Sequence, residues 1–396
     1  MLLKGVRQCG KTYLLKEFGK NSYRDLAYFN FEGNDPLQKC FERDLDIKRI
    51  ITELGVLRRK QINPDETLII LDEIQFCNRA LTALKYFCEN APQYHVAAAG
   101  SLLGVTLSKP LSFPVGKVDL RTLRPMGFCE FMMAAGEEEL VQFLSGLSRK
   151  TKIPETFTGR LVDLLNSYYL VGGMPEAAAK WFETGDVSEV ETIQRRILES
   201  YELDFAKHAP VADIPKLNLI WKSVPSQLSR ENGKFFYGHA KPGARAKDLE
   251  DALEWLISAG LVYKVTRIQK PFVPLSAYAD QAYFKLYASD VGLLRKMAGL
   301  PAEALTAGQD SYREFKGALA ENFALTEMLN CGLDQPFYWK SGNTAEVDFV
   351  AQCNGLIMPI EVKAGRNRAR SLAEYRKKYS PEISIKASME NIGGEE

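Results

Sequence analysis

Gly5-Val6-Arg7-Gln8-Cys9-Gly10-Lys11-Thr12 decides the fold. The stretch reads G-x-x-x-x-G-K-T, the phosphate-binding P-loop. Gly5 and Gly10 can take backbone angles that other residues resist, so successive N–H groups turn inward around a phosphate. Gly5, Val6, Arg7, Gln8, Cys9 and Gly10 are therefore expected to wrap the nucleotide, with Tyr13 just beyond them. Lys11 sets a full positive charge against the β/γ-phosphates, and Thr12 offers a hydroxyl to Mg²⁺. Leu14, Leu15 and Phe18 are apolar, so 13–18 opens a helix whose N-terminus faces the phosphates. The expected cofactors are ATP and Mg²⁺.

A P-loop needs an acidic partner, and Thr67-Leu68-Ile69-Ile70-Leu71-Asp72-Glu73 supplies one. Four consecutive branched apolar residues suit a strand buried on both faces of a parallel sheet. The strand delivers two carboxylates at its C-terminal end, where open α/β sheets bind ligands. Asp72 is expected to hold Mg²⁺, mostly through water, and Glu73 to polarise the attacking water. A plain helix cap is the competing reading of the pair. A third strand over 95–99 ends in Gly100-Ser101, where Ser101 is placed to sense the γ-phosphate or simply to close a strand-end turn.

With 396 residues, the chain has room for two or three domains with their own cores. Hydrophobic residues make up 46% and charged residues 26%, an ordinary globular balance. The net charge of +1 excludes a global positive field, so any DNA contact must come from a local patch. No signal-peptide pattern opens the chain, and no apolar run nears transmembrane length. Cys9, Cys40, Cys77, Cys88, Cys129, Cys331 and Cys353 are odd in number and lack C-x-x-C spacing. They read as reduced thiols of a cytoplasmic protein, with Cys9 a small filler of the P-loop. Only Met1-Leu2-Leu3-Lys4 precedes the P-loop, a short strand, and both ends of the chain look cut.

Residues 1–135 alternate strand and helix signals, the pattern of a doubly wound α/β core. Strands are expected at 26–31, 68–71, 95–99 and 115–123, helices at 45–57 and 80–89, and a turn at Gly33-Asn34-Asp35-Pro36. Arg121 and Arg124 are either γ-phosphate-facing or scaffold arginines. Residues 136–212 are helical in period, broken by Gly172-Gly173-Met174-Pro175, and suit a lid over the nucleotide. Residues 213–270 resemble a winged helix, with helices at 217–228 and 245–259 and a wing strand at 261–268. Asp248, Glu250, Asp251 and Glu254 oppose Arg245 and Lys247 on the second helix, which favours docking over base readout.

Residues 271–396 form a separate α/β unit. An amphipathic helix over 314–329 precedes strands at 345–352 and 356–362, joined by Cys353-Asn354-Gly355. Asn-Gly marks a type I′ hairpin turn. With those two residues as the loop, Asp348 faces Glu361 and Glu346 faces Lys363, all on one face. Opposed carboxylates repel unless a cation lies between them. A divalent metal held by Asp348 and Glu361, with Lys363 beside it and Glu321 completing the carboxylates, would be the core of a PD-(D/E)xK nuclease. A charged, solvent-facing hairpin is the alternative. Downstream, Lys363, Arg366, Arg368, Arg370, Arg376, Lys377 and Lys378 make a phosphate-backbone surface or a solvated helix face.

Together, G-V-R-Q-C-G-K-T (5–12), L-I-I-L-D-E-I-Q (68–75), A-A-G-S-L-L-G (98–104), L-R-P-M-G-F-C-E-F (123–131), Y-L-V-G-G-M-P-E-A (169–177), G-A-L-A-E-N-F (317–323), E-V-D-F-V (346–350) and I-E-V-K-A-G (360–365) span nearly the whole chain. As an ensemble they resemble a family of prokaryotic AAA-like ATPases that carry a C-terminal domain of unknown function with a nuclease-like fold. The resemblance implies ATP at Gly10, Lys11 and Thr12, an acidic pair at Asp72 and Glu73, and a winged helix in the middle. It also implies a restriction-endonuclease-like end around Glu321, Asp348, Glu361 and Lys363. The short lead-in before Gly5 and the abrupt end at Gly393-Gly394-Glu395-Glu396 depart from the family pattern. Three functions fit: an ATPase coupled to a nuclease-like module, a nucleotide-dependent switch that cuts nothing, and an ATP-gated, Mg²⁺-dependent DNA nuclease. DNA, another protein and a second copy of the chain are candidate partners; a membrane is not.

Overall fold

A computed structural model describes residues 1–101, 103–107, 116–148, 151–230, 233–306, 313–333, 335–342, 345–364 and 369–392. The chain divides into two compact units. One comprises Met1–Arg124 with Ser258–Gly260, and the other Pro125–Ile257 with Leu261–Glu396. Among the described residues no helix is long and apolar enough to cross a membrane.

The first unit is a five-stranded parallel sheet in the order β2-β3-β4-β1-β5. Its strands are β1 (Leu2–Lys4), β2 (Asp25–Asn30), β3 (Thr67–Asp72), β4 (His95–Gly100) and β5 (Leu120–Thr122). All six residues of β3 are buried, as a strand covered on both faces requires. Ile69 and Leu71 pack with Phe31, Ile50 and Leu54, while Leu68 and Ile70 pack with Leu3 and Leu15. The two-residue alternation of a strand thus feeds two separate apolar layers.

Short as it is, β1 is braced on both sides, by β4 through Leu2–Ala98 and by β5 through Leu2–Leu120. The strand expected over 115–123 is confined to Leu120–Thr122, and Val115 lies outside the described residues. The turn expected at Gly33-Asn34-Asp35-Pro36 instead starts a helix, Asp35–Glu42. Asn34 caps it by accepting the Leu37 N–H, and Pro36 sits in the first turn, where a missing N–H costs nothing. Turn residues and helix-start residues are the same types, and here the helix prevails.

In the second unit, long helices Glu155–Val171, Pro175–Thr184 and Val187–His208 follow the helical period read from the sequence. Their connection at Gly172-Gly173 is a turn pinned by hydrogen bonds. The Gly173 N–H donates to Asp290 Oδ2 at 2.6 Å, and the Gly173 carbonyl accepts from Met126 N at 2.8 Å. A Cβ on Gly173 would lie 2.1 Å from the Met126 carbonyl oxygen, and Gly172 has φ 77°. Asp290 also caps helix Val291–Met297 through the Leu293 N–H at 2.8 Å. Fully buried Arg295 closes the same region, bonding to Leu170 O, Leu300 O, Gln194 Oε1 and Glu191 Oε1.

A second carboxylate caps helix Phe128–Ala134, where Glu327 Oε1 accepts the Phe128 N–H at 2.9 Å. Burial, aided by the charge of Glu130, pushes its carboxyl up to about 6. The unfolded chain has the ordinary value near 4.3, so the folded chain holds the proton more tightly. Stability from Glu327 is therefore full below about pH 4 and declines as pH rises through 6. Glu327→Gln keeps the acceptor and removes the titration. Its melting temperature should gain on the parent's between pH 5 and pH 8, by an amount worth at most ~2 kcal/mol. A pH-independent difference between the two proteins would contradict this.

The second sheet has six strands in the order β11-β10-β9-β8-β6-β7. They are β6 (Val262–Ile268), β7 (Ala279–Ala288), β8 (Phe337–Ser341), β9 (Ala345–Cys353), β10 (Leu356–Lys363) and β11 (Ile385–Ser388). This corrects the wing. The strand expected there is β6, an inner strand paired antiparallel with β7 and parallel with β8. The boundary placed at 270/271 therefore falls in the connection between the paired strands β6 and β7. The Asn354-Gly355 turn holds the expected register, pairing Leu356 with Cys353 and Ile360 with Phe349. Both turn residues have positive φ, 50° and 81°, as a type I′ turn requires.

Candidate nucleotide site and the acidic cluster of the C-terminal sheet

Parallel pairing puts the C-terminal ends of β1, β3 and β4 on one side of the first sheet. Because β4 lies between β1 and β3, Ser101 follows a strand flanked by those that lead to the P-loop and the acidic pair. The P-loop closes on Gly10, φ 95°, which starts helix Lys11–Ser22. Lys11 is buried, and its ammonium donates to Gly5 O at 2.9 Å and Val6 O at 2.7 Å. It thus crosses the mouth of its own loop. Gln8 holds φ 66°, a left-handed turn that only a few residue types accept cheaply. Val6 and Cys9 are buried in the loop's base, whereas Tyr13 is 72% exposed. Burial pushes the Cys9 thiol up, which fits a filler rather than a reactive thiolate.

Thr12 Oγ1 donates to Asp72 Oδ2 at 2.7 Å, and Tyr28 Oη donates to the same oxygen at 2.8 Å. The Glu73 N–H binds Asp72 Oδ1 at 3.0 Å. The Thr12 hydroxyl and the Asp72 carboxylate thus meet beside the P-loop, and this donor set fits a hard cation. Glu73 sits in a left-handed conformation, φ 50° and ψ 42°. Its Oε2 accepts from Ser101 Oγ at 3.2 Å and from Gln75 Nε2. Gly100 makes room for Gln75, since a Cβ there would lie 2.2 Å from Gln75 Oε1. Arg121 is exposed and paired with Asp119 at 2.9 Å, while Arg124 is half-buried.

Tyr28 and Gln75 were not foreseen. Tyr28 lies on β2, opposite Ile70 of β3, and a sequence does not state which strand borders β3. Gln75 stands two residues past Glu73, and that spacing was the only available signal.

In the second sheet, Asp348 is buried and accepts the Val362 N–H at 2.8 Å. Burial and the charge of Glu321 push its carboxyl well above the usual range. Glu361 is also buried, accepting from Lys363 at 2.7 Å and from the Leu372 N–H at 2.7 Å. Two expectations need correction. Glu346 is engaged not by Lys363 but by Lys285 at 2.8 Å and Lys340 at 3.3 Å. Glu321 is held by Tyr287 at 2.9 Å and Lys285 at 3.3 Å. Among the described residues no group of three His, Cys, Asp or Glu side chains is arranged to hold a metal ion. These carboxylates do not fit a divalent ion as they stand. Of the basic stretch downstream, Arg376, Lys377 and Lys378 are exposed, and Arg366 and Arg368 lie outside the described residues, as does the end at 393–396.

Comparison with known proteins agrees with the first unit. Residues 1–132 match the family described as AAA domain. Residues 162–304 match a domain of unknown function (DUF8612), and residues 316–395 match another (DUF4143). The chain therefore carries an AAA-type P-loop ATPase domain at its N-terminus, followed by two domains of unknown function. The AAA match implies ATP binding and suggests NTPase activity. No curated protein matches the chain.

Similar solved structures include the Walker-type ATPase PABY2304 of Pyrococcus abyssi, at 14% identity and a TM-score of 0.47, covering 75% of this chain and 90% of that one. The RuvB Holliday junction branch migration motor of Thermotoga maritima follows at 13% identity and 0.30, covering 66% and 80%. Cdc6p from Pyrobaculum aerophilum has 14% identity and 0.23, covering 77% and 88%.

Proposed function

We propose that the chain hydrolyses ATP in its AAA domain and couples its nucleotide state to a nuclease-like C-terminal module. The observation that carries this reading is the convergence of Thr12 on Asp72 and of Ser101 on Glu73 beside a loop that ends in Lys11. The backbone of 5–10 would cradle the phosphates, and Lys11 would leave its loop carbonyls for the β/γ-phosphates. Thr12 and Asp72 would hold Mg²⁺, which supplies charge neutralisation when bound. Tyr28 would keep Asp72 oriented as Thr12 turns to the metal. Glu73 would accept the proton of the attacking water, and Ser101 would report the γ-phosphate.

The division into a core at 1–135, a lid at 136–212 and a winged-helix-like part beginning at 213 remains our proposal for how the state is transmitted, with β6 assigned to the sheet. The nuclease alternative rests on Asp348, Glu361 and Lys363 lying on neighbouring strands. It is disfavoured because Glu361 is already engaged by Lys363 and the Leu372 N–H, and Asp348 accepts the Val362 N–H.

Titration calorimetry with a non-hydrolysable ATP analogue, with Mg²⁺ and with chelator, tests binding. Limited proteolysis with and without the analogue tests coupling. Mg²⁺-dependent binding with altered cleavage within 136–396 is expected. Absence of binding sinks the ATP reading, and binding with an unchanged cleavage pattern sinks the coupling.

A further inference from the structure

Lys285 is the most deeply buried ammonium described in the second sheet, 2% exposed on β7. It reaches two carboxylates on two other elements, Glu346 on β9 and Glu321 on helix Arg313–Asn330, at 2.8 Å and 3.3 Å. The Tyr287 hydroxyl shares Glu321 Oε2 with it, and Lys340 takes the other oxygen of Glu346. Burial alone would pull the Lys285 ammonium down. Glu321, Tyr287, Glu346 and Asp348 outweigh burial and hold it protonated.

The neighbouring carboxylates are engaged less evenly, Glu361 by the Lys363 ammonium and the Leu372 N–H and Asp348 by the Val362 N–H on one oxygen. Four carboxylates thus meet three ammonium groups, so a cation is already built into the cluster. A divalent ion cannot use the oxygens of Glu321 and Glu346 while Lys285 lies between them, because like charges at such range repel strongly in a dry site.

We propose that Lys285 is the resident cation of this cluster, taking the charge-neutralising place that a divalent metal would otherwise take, so that the C-terminal module needs no metal. The inference stands apart from ATP hydrolysis. It also predicts a latent site, since removing the ammonium leaves hard oxygen ligands with no counter-charge.

The test uses the full chain without nucleotide, melted in Mg²⁺, in Mn²⁺ and in chelator. The parent and Lys285→Arg should melt at the same temperature in all three. Lys285→Met should melt lower in chelator and recover by roughly 2–4 °C in Mn²⁺ through mass action. Adding Glu346→Gln to Lys285→Met should abolish that recovery. Should Lys285→Met fail to fold, Mn²⁺ binding followed by electron paramagnetic resonance on the parent decides. No bound ion that Asp348→Asn or Glu321→Gln removes is the expected result. A parent that gains a metal-dependent rise in melting temperature lost in Asp348→Asn overturns the proposal. So does a folded Lys285→Met that no metal rescues.

Discussion

Glu73→Gln should bind ATP as the parent does and lose about 10²–10⁴-fold in turnover, the usual contribution of a general base. The amide keeps the size of the side chain and retains one oxygen for the donors Ser101 and Gln75, which now meet at Glu73 Oε2. It cannot accept a proton from water. Binding should be spared because Lys11 and the loop backbone, rather than Glu73, would hold the phosphates. Asp72→Asn should behave differently. Its carboxylate receives Thr12, Tyr28 and the Glu73 N–H, so the loss falls on the Mg²⁺ requirement and on binding of the Mg·ATP complex. Steady-state phosphate release at several Mg²⁺ concentrations separates the two. If both variants turn over ATP like the parent, the Asp72-Glu73 pair has no part in hydrolysis.

Lys11→Ala should remove tight ATP binding. Lys11 brings a full charge to the end of the loop, and it is already desolvated against Gly5 O and Val6 O. Moving it onto a phosphate exchanges neutral acceptors for an anionic one, and charge-assisted contacts of this kind are worth ~2–4 kcal/mol. The dissociation constant should rise about 30- to 1,000-fold. The fold should survive, since the Val6 carbonyl keeps the Cys9 N–H as a partner and the Gly5 carbonyl is only partly buried. Calorimetry showing unchanged affinity, on a variant that melts like the parent, would remove the nucleotide site from this loop.

Much of the first unit could be read from sequence because its signals are local. The P-loop spacing, the apolar run before Asp72 and the Gly100-Ser101 strand end each carry their own chemistry within a few residues. The Asn354-Gly355 register was legible for the same reason, since the turn type dictates which residues pair. What stayed hidden depends on distant partners. Residues 261–268 looked like a wing because nothing in them states that β8, some seventy residues on, would pair beside them. Lys285 looked like one of many lysines until β7, β9 and helix Arg313–Asn330 brought it between Glu346 and Glu321. Gly172-Gly173 announced a turn, but the Asp290 carboxylate that fills it lies more than a hundred residues away. Asp35–Glu42 was missed for a different reason, because Asn, Asp and Pro serve turns and helix starts alike.

Phosphate release from ATP by the full chain, measured with Mg²⁺ and with chelator and repeated in the presence of linear DNA, tests the ATPase assignment most directly. Turnover should require Mg²⁺, fall to background in Lys11→Ala, and drop by at least about 10²-fold in Glu73→Gln. The linear DNA should remain uncut throughout. Turnover at background in the parent, or equal in all three proteins, would contradict it.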